Sequence, residues 1–134
     1  MTTDTVHVVA ALIRQGDRFL VTQRTDDDPG WPGHWEFPGG GVEPGESDRA
    51  ALAREMREEL AVEVEVGQLF ERVHHQTTTG SPLDMRIYSC RIRTGEPQPI
   101  EVQAIRWIRI EEAGALAFPS ADEPVLARIR RDER

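Results

Sequence analysis

The sequence predicts an α/β fold with a mixed sheet between helical layers. Two observations carry this. Two apolar, β-branched runs lie near the start on either side of a short turn. One helix-period stretch then follows, and after it come alternating strands and a second amphipathic helix. Strands, a helix, more strands and a final helix bury their apolar faces best as a sheet covered by helices. With 134 residues the chain is long enough for a real core. Residues 1–134 are expected to form a single domain.

The elements follow in order. Residues 6–13 are apolar and β-branched apart from His7, and residues 18–24 follow after Gln15, Gly16 and Asp17. They read as adjacent strands joined by a turn. Residues 25–33 hold Asp, Pro, Gly and Trp and form a loop. Residues 36–41, Glu36-Phe37-Pro38 and three glycines, are expected to be irregular, because glycine and proline dominate them. Glycine there allows close backbone approach to a ligand. Ser47 is placed to cap a helix over 48–60, with Asp48 in the first turn where negative charge is favoured. Leu52, Met56 and Leu60 recur every four residues as its core stripe.

Val62, Val64 and Val66 alternate with Glu63 and Glu65, which predicts a half-buried strand running on through Leu69, Phe70 and Val73. Residues 77–84 read as a polar loop and 85–93 as a strand. Residues 95–99 form another loop, and residues 100–110 a late strand region with Trp107 and Ile108 packed. Residues 111–116 form a short helix. A terminal helix over 121–130 buries Val125, Leu126 and Ile129.

The formal net charge is −8. This weighs against polymeric nucleic acid and anionic membrane surfaces. It leaves a small nucleotide open, because a bound metal inverts the local field. Cys90 is the only cysteine, so no internal disulfide forms and apolar filler is its expected role. The start, MTTDTVHVVA, lacks the basic region and apolar run of a signal peptide. No segment has the length to cross a membrane, and a cytoplasmic protein is expected. A monomer and a homodimer are equally compatible with this size.

Glu55, Glu58 and Glu59 are three and four residues apart, so a helix projects them from one side. Like charges packed that way need a cation. Hard carboxylate oxygens suit Mg²⁺, with Mn²⁺ as a substitute. An EMREEL string alone is usually a solvated helix face. The glycine-rich run just before it brings backbone carbonyls to the same place. Arg54 stands between Glu46 and the cluster, ready to fix both by its planar fork. Carboxylates and a metal facing phosphate are the parts needed to neutralise a polyphosphate and aim a water at phosphorus. His34, His74 and His75 lack a structural zinc spacing.

The run from Gly40 to Val62 resembles the Nudix box: a glycine, five residues, a glutamate, seven residues, then REUxEExGU. Here these positions are Gly40, Glu46, Arg54, Glu55, Met56, Glu58, Glu59, Ala61 and Val62. Ala61 departs from the usual glycine, at a helix end where positive φ is often wanted. The resemblance implies the Nudix fold, an α/β/α sandwich. It implies metal ligation by Glu55, Glu58, Glu59 and the Gly39 carbonyl, with Glu46 and Arg54 in support. The likeness extends to the MutT-like group through Gln23-Arg24, Trp35 to Gly40, Glu101 before Trp107, and Phe118 to Val125.

By that likeness Glu101 approaches the metal and the attacking water, so Glu55, Glu58, Glu59 and Glu101 form the catalytic set. Arg24 lies near the sugar, base or phosphates. Phe37 lines the base pocket, and Asp122 contacts the base unless it merely caps the last helix. Trp31, Trp35 and Tyr88 are candidates to stack on the base, with Trp35, next to the glycine string, taken as a substrate contact unless the tryptophans simply pin that loop to the sheet. Gly41 stands where many relatives carry lysine. An ionised Asp122 only accepts hydrogen bonds. It would favour cytosine or guanine and weigh against uracil.

The implied reaction is Mg²⁺-dependent hydrolysis of a nucleoside triphosphate to the monophosphate and pyrophosphate. The expected role is to clear 8-oxo-dGTP, or CTP, dCTP and 5-methyl-dCTP, from the nucleotide pool. The alternatives are a dinucleoside polyphosphate, a nucleotide sugar or an RNA 5′-triphosphate end as substrate, or a non-catalytic nucleotide sensor.

Overall fold

The computed structural model describes residues 4–133. Residues 1–3, at the start read above for a signal peptide, and Arg134 lie outside the described residues. The strands are β1 (Val6–Gln15), β2 (Arg18–Gln23), β3 (Trp35–Glu36), β4 (Gly39–Gly41), β5 (Glu63–Gln76), β6 (Pro82–Thr94) and β7 (Ala104–Ile108). The helices are α1 (Asp48–Leu60) and α2 (Glu123–Asp132).

β1 is the hub. It pairs antiparallel with β2 and β4 and parallel with β6, so the sheet is mixed. β5 extends it beyond β6, and β3 and β7 add to β2. Alternation along β1 then feeds two cores. Val9, Ala11 and Ile13 face α1 and meet Leu52, Met56 and Leu60. Ala10 and Leu12 face α2 and meet Val125, Leu126 and Ile129. A strand buried on both faces has to be apolar throughout, which is why residues 8–13 carry no charge. Helices on both faces of a mixed sheet make the α/β/α sandwich expected from the sequence.

Helix α1 begins where its cap predicts. Ser47 is extended, and its hydroxyl accepts a 3.1 Å hydrogen bond from the Ala50 N–H. The helix ends at Ala61, with φ 58° and ψ 38°, the one described residue other than glycine with positive φ. The alanine therefore takes the left-handed pose that glycine usually fills.

Four boundaries differ from the sequence reading. Residues 36–41 are irregular only at Phe37 and Pro38. Gly39–Gly41 pairs with β1 as β4, and Trp35–Glu36 pairs with β2. Backbone hydrogen bonding alone makes β4, so side-chain pattern gave no sign of it. β6 starts at Pro82, inside the expected 77–84 loop, because Gln76 pairs with Pro82 across a turn over the threonines. The late strand is only Ala104–Ile108. Ile100 is exposed, and its N–H is taken by the Glu59 carbonyl. The last helix starts at Glu123 after a 3₁₀ turn over Ser120–Asp122. Among the described residues no helix is long and apolar enough to cross a membrane.

Candidate active site

Helix α1 lies against β4, and glycine makes the approach possible. A Cβ on Gly40 would stand 2.3 Å from the Glu55 carboxyl carbon. One on Gly39 would stand 2.0 Å from the Val9 carbonyl oxygen. The Glu55 carboxylate therefore rests directly on the backbone of β4.

The glutamates on α1 differ in environment. Glu59 is 8% exposed, and its Oε2 has no hydrogen-bond partner. Burial, followed by the charges of Glu36 and Glu55, pushes its carboxyl up to about 9, against the opposing Gly39 N–H. Glu55 is also raised, first by burial and further by Glu58 and Glu101, with Arg54 opposing. Glu58 is exposed.

Arg54 is the cation holding this group together. Its Nε and one terminal nitrogen donate to Glu46 at 2.8 and 2.9 Å. That same terminal nitrogen also donates to the Gly41 carbonyl at 3.0 Å, and the other donates to Glu55 at 2.8 Å and Glu58 at 3.3 Å. These hydrogen bonds pull Glu46 down to about 2.

Glu101 lies in a bend before β7 rather than on a strand. The Glu59 carbonyl holds that bend through the N–H groups of Ile100 at 3.0 Å and Glu101 at 3.5 Å. Its exposed carboxylate is near enough to raise Glu55 and Glu59.

Among the described residues no three Asp, Glu, His or Cys side chains already converge tightly enough to hold an ion. Their chemistry nevertheless fits a hard divalent cation. Four carboxylates raise one another or stand close by, one buried oxygen has no partner, and Arg54 is the cation paired with Glu55 and Glu58. Mg²⁺ or Mn²⁺ suits such an oxygen set. Glu55, Glu58 and Glu59, with backbone oxygen from Gly39, are the residues that could hold it.

A cavity of about 440 Å³ runs from Gly39–Gly41 to Asp122, with Val8, Leu83 and Met85 on its apolar side. Phe37 lines it, is 2% exposed, and stacks on Phe19 with ring centroids 5.7 Å apart. Asp122 is 4% exposed, and its Oδ2 has no partner. It occupies the N-cap position of α2 but makes no capping hydrogen bond. Burial, with the Glu36 charge adding to it, drives its carboxyl well above the ordinary value, and Arg24 opposes this. A neutral acid offers one donor and one acceptor.

Arg24 lines the same cavity but is already engaged. It donates to Glu36 at 3.0 Å, with a second nitrogen in ion-pair contact at 2.9 Å, and to Asp28 at 3.2 and 3.1 Å. Glu36, a cavity residue that sequence reasoning missed, is raised by burial and held down by Arg24. Its one sequence sign was its place beside Phe37 ahead of the glycines.

Trp35 does not line the cavity. It packs on the α2-side core with the Arg106 guanidinium 5.8 Å from its ring, and Trp31 lines the cavity instead. On a two-residue strand, neighbours face opposite ways, so Glu36 inside sends Trp35 out. Tyr88 is across the sheet, donating to Asp48 at 2.6 Å. His74 and His75 are both exposed. Cys90 is half-buried, and burial pushes its thiol up to about 12.

A mixed sheet between two helical layers, with Glu55 and Glu59 of α1 set against a glycine strand, makes an α/β/α protein with an acidic site between helix and sheet. Residues 3–129 match the NUDIX domain. The CTP pyrophosphohydrolase of Escherichia coli K12 is 38% identical over 121 residues, covering 90% of this chain and 88% of that protein. A putative 8-oxo-dGTP diphosphatase 2 of Mycobacterium tuberculosis is 36% identical over 124 residues, covering 92% and 87%. The crystal structure of the MutT protein from Methanosarcina mazei Go1 superposes with a TM-score of 0.87 at 22% identity, covering 100% of this chain and 99% of that one, and shares the fold. The chain belongs to the Nudix family of hydrolases.

Proposed function

We propose that the protein hydrolyses nucleoside triphosphates to the monophosphate and pyrophosphate with Mg²⁺, clearing 8-oxo-dGTP or cytosine nucleotides (CTP, dCTP, 5-methyl-dCTP) from the pool. One observation carries this reading. A single cavity joins a buried, unpartnered carboxyl at Asp122 to the glycine strand on which Glu55 rests. One end has the chemistry to read a base and the other to receive phosphates. The relatives named for CTP and 8-oxo-dGTP support the two base classes.

The residues divide the work. A bound divalent ion, held by Glu55, Glu58, Glu59 and the Gly39 carbonyl, would neutralise phosphate charge and acidify a coordinated water. Arg54 and Glu46 keep Glu55 and Glu58 in place. Glu101, whose exposed carboxylate is close enough to raise Glu55 and Glu59, is the residue assigned to hold or deprotonate the attacking water. Phe37 forms a rigid wall for the base.

Asp122, its carboxyl raised by burial, can when protonated pair with an edge that offers one donor and one acceptor. Cytosine presents N3 and its amine, and guanine presents N1–H and O6. An ionised aspartate would have weighed against uracil, but a neutral one does not.

The test is pyrophosphate release under Mg²⁺ from 8-oxo-dGTP, dCTP, 5-methyl-dCTP, CTP, dUTP and dGTP, compared by kcat/KM. A preferred triphosphate supports the assignment, with Asp122→Ala expected to lower its kcat/KM by about 100-fold through loss of a buried hydrogen-bonding edge. Negligible rates on every member would overturn it.

A further inference from the structure

Three consecutive aspartates, Asp26, Asp27 and Asp28, occupy the loop between β2 and β3. Asp26 and Asp27 are exposed, and only Asp28 turns inward. Its Oδ1 accepts the N–H groups of Gly30 and Trp31, both at 2.9 Å. Its two oxygens also face one terminal nitrogen of Arg24 at 3.2 and 3.1 Å. Burial alone would raise this carboxyl, yet the Trp31 and Gly30 N–H groups with Arg24 hold it below its ordinary value.

The loop is fastened at its base by other means. The Arg24 N–H donates to the His34 carbonyl at 2.8 Å, and Gln23 reaches the Gly33 carbonyl at 3.1 Å. Towards the tip the Asp28 side chain ties down Gly30 and Trp31. There a Cβ built on Gly30 would sit 3.6 Å from the Thr78 hydroxyl, so the loop meets the turn after β5. Trp31, edge-on to His34 with centroids 5.1 Å apart, forms part of the cavity wall.

We infer that Asp28, gripped by Arg24, is a positioning residue that sets Trp31 as the aromatic wall for the base or sugar of the bound nucleotide. This rests on the triphosphate reading and adds a specificity element to the same cavity. It also gives Arg24 a task other than phosphate contact. Arg24 ties the loop to Glu36 and thereby to the Asp122 end of the cavity. A held aromatic face binds without paying to order itself at each encounter.

Two readouts test this. Protein labelled with 5-fluorotryptophan carries three fluorines, at Trp31, Trp35 and Trp107. The Trp31 signal is assigned with Trp31→Phe. Asp28→Ala should move that signal and leave the other two, which also report that the variant is folded. Asp28→Asn keeps one acceptor and should move it less, and the exposed Asp26→Asn should not move it.

In steady-state kinetics on the preferred triphosphate, Asp28→Ala and Trp31→Ala should each raise KM about tenfold, the scale of a lost base-stacking contact, with kcat little changed. The double variant should be no worse than Trp31→Ala alone, because one residue acts through the other. An unmoved Trp31 fluorine in Asp28→Ala would overturn the inference. So would KM effects that multiply, or a fall in kcat at constant KM. The fluorine readout needs no turnover. A wild type that leaves every triphosphate intact would therefore sink the proposed reaction while the role of Asp28 is still decided.

Discussion

The Glu55 carboxylate lies against Gly40 with no room for a side chain between them, since a Cβ there would be 2.3 Å from the carboxyl carbon. Gly39, its neighbour, is closed off by backbone instead, with the Val9 oxygen 2.0 Å from where a Cβ would be. The two glycines should therefore fail differently. In Gly40→Ala the obstacle is a flexible side chain that can swing aside. The fold should hold, and turnover should fall about 100-fold, the usual penalty for moving a reacting group by about 1 Å. In Gly39→Ala the obstacle is the main chain of β1. Stability should fall by about 2 kcal/mol or more from overpacking. Thermal melts beside kcat for both variants check this. Equal melting losses would refute the distinction.

Ala61 sits at φ 58°, a conformation that costs a residue with Cβ about 1–2 kcal/mol. Glycine removes that strain but loses more backbone freedom on folding. Ala61→Gly should gain a net of about 0.5–1 kcal/mol and raise Tm by about 2–4 °C. Because α1 carries the glutamates and only its last turn changes, kcat should stay as it was. A lower Tm would mean the left-handed pose carries no strain.

What the sequence made legible is what local spacing encodes. The every-fourth-residue stripe of Leu52, Met56 and Leu60 and the cap at Ser47 gave α1 its limits, and the same spacing puts Glu55, Glu58 and Glu59 on one helix near the glycines. What it hid depends on pairing between distant segments. Three glycines carry no alternation, so β4 was invisible until β1 lay beside it. Glu36 shows no role of its own until β3 pairs with β2 and brings Arg24 to it. Which of Trp31 and Trp35 lines the cavity was hidden for the same reason, since the face of a two-residue strand is fixed only by its partner. Spacing alone also left Asp122 open as a cap, but the 3₁₀ turn before α2 leaves it at φ −83°, ψ −15°. That is outside the extended geometry a capping residue uses.

On the opposite side of the sheet from the cavity, Asp48 ties the start of α1 to β6. Arg86 donates to it at 2.7 and 2.6 Å, and the Tyr88 hydroxyl at 2.6 Å. The Arg86 hydrogen bonds, opposed by burial and helped by Tyr88, lower its carboxyl from 3.8 to about 2. A depressed carboxylate stabilises the fold fully above its unfolded pKa and loses that contribution as pH falls through its folded one. The window is therefore from about pH 4 down to about 2. The pair is partly solvated, so its worth is discounted to about 1 kcal/mol. Asp48→Asn should lose that much at pH 7 and flatten the stability curve across this window in acid titrations followed by circular dichroism. A variant that falls off as steeply as wild type would show that other carboxylates set the acid limit.

Glu59 is the buried member of the α1 group, with an unpartnered oxygen and a carboxyl pushed up to about 9 by burial and the charges beside it. Without a cation its environment disfavours the ionised form, so a neutral amide of the same shape should cost the metal-free fold little. Glu59→Gln should melt within about 2 °C of wild type in chelator, a difference of about 0.5 kcal/mol. A divalent cation changes the balance only for the carboxylate. At about ten times its dissociation constant, Mg²⁺ should stabilise wild type by about 1.4 kcal/mol. The variant should show a clearly smaller rise at the same concentration and lose turnover by about 1000-fold. Equal Mg²⁺ stabilisation in both proteins would place the ion away from Glu59, and undiminished turnover would remove Glu59 from the reaction.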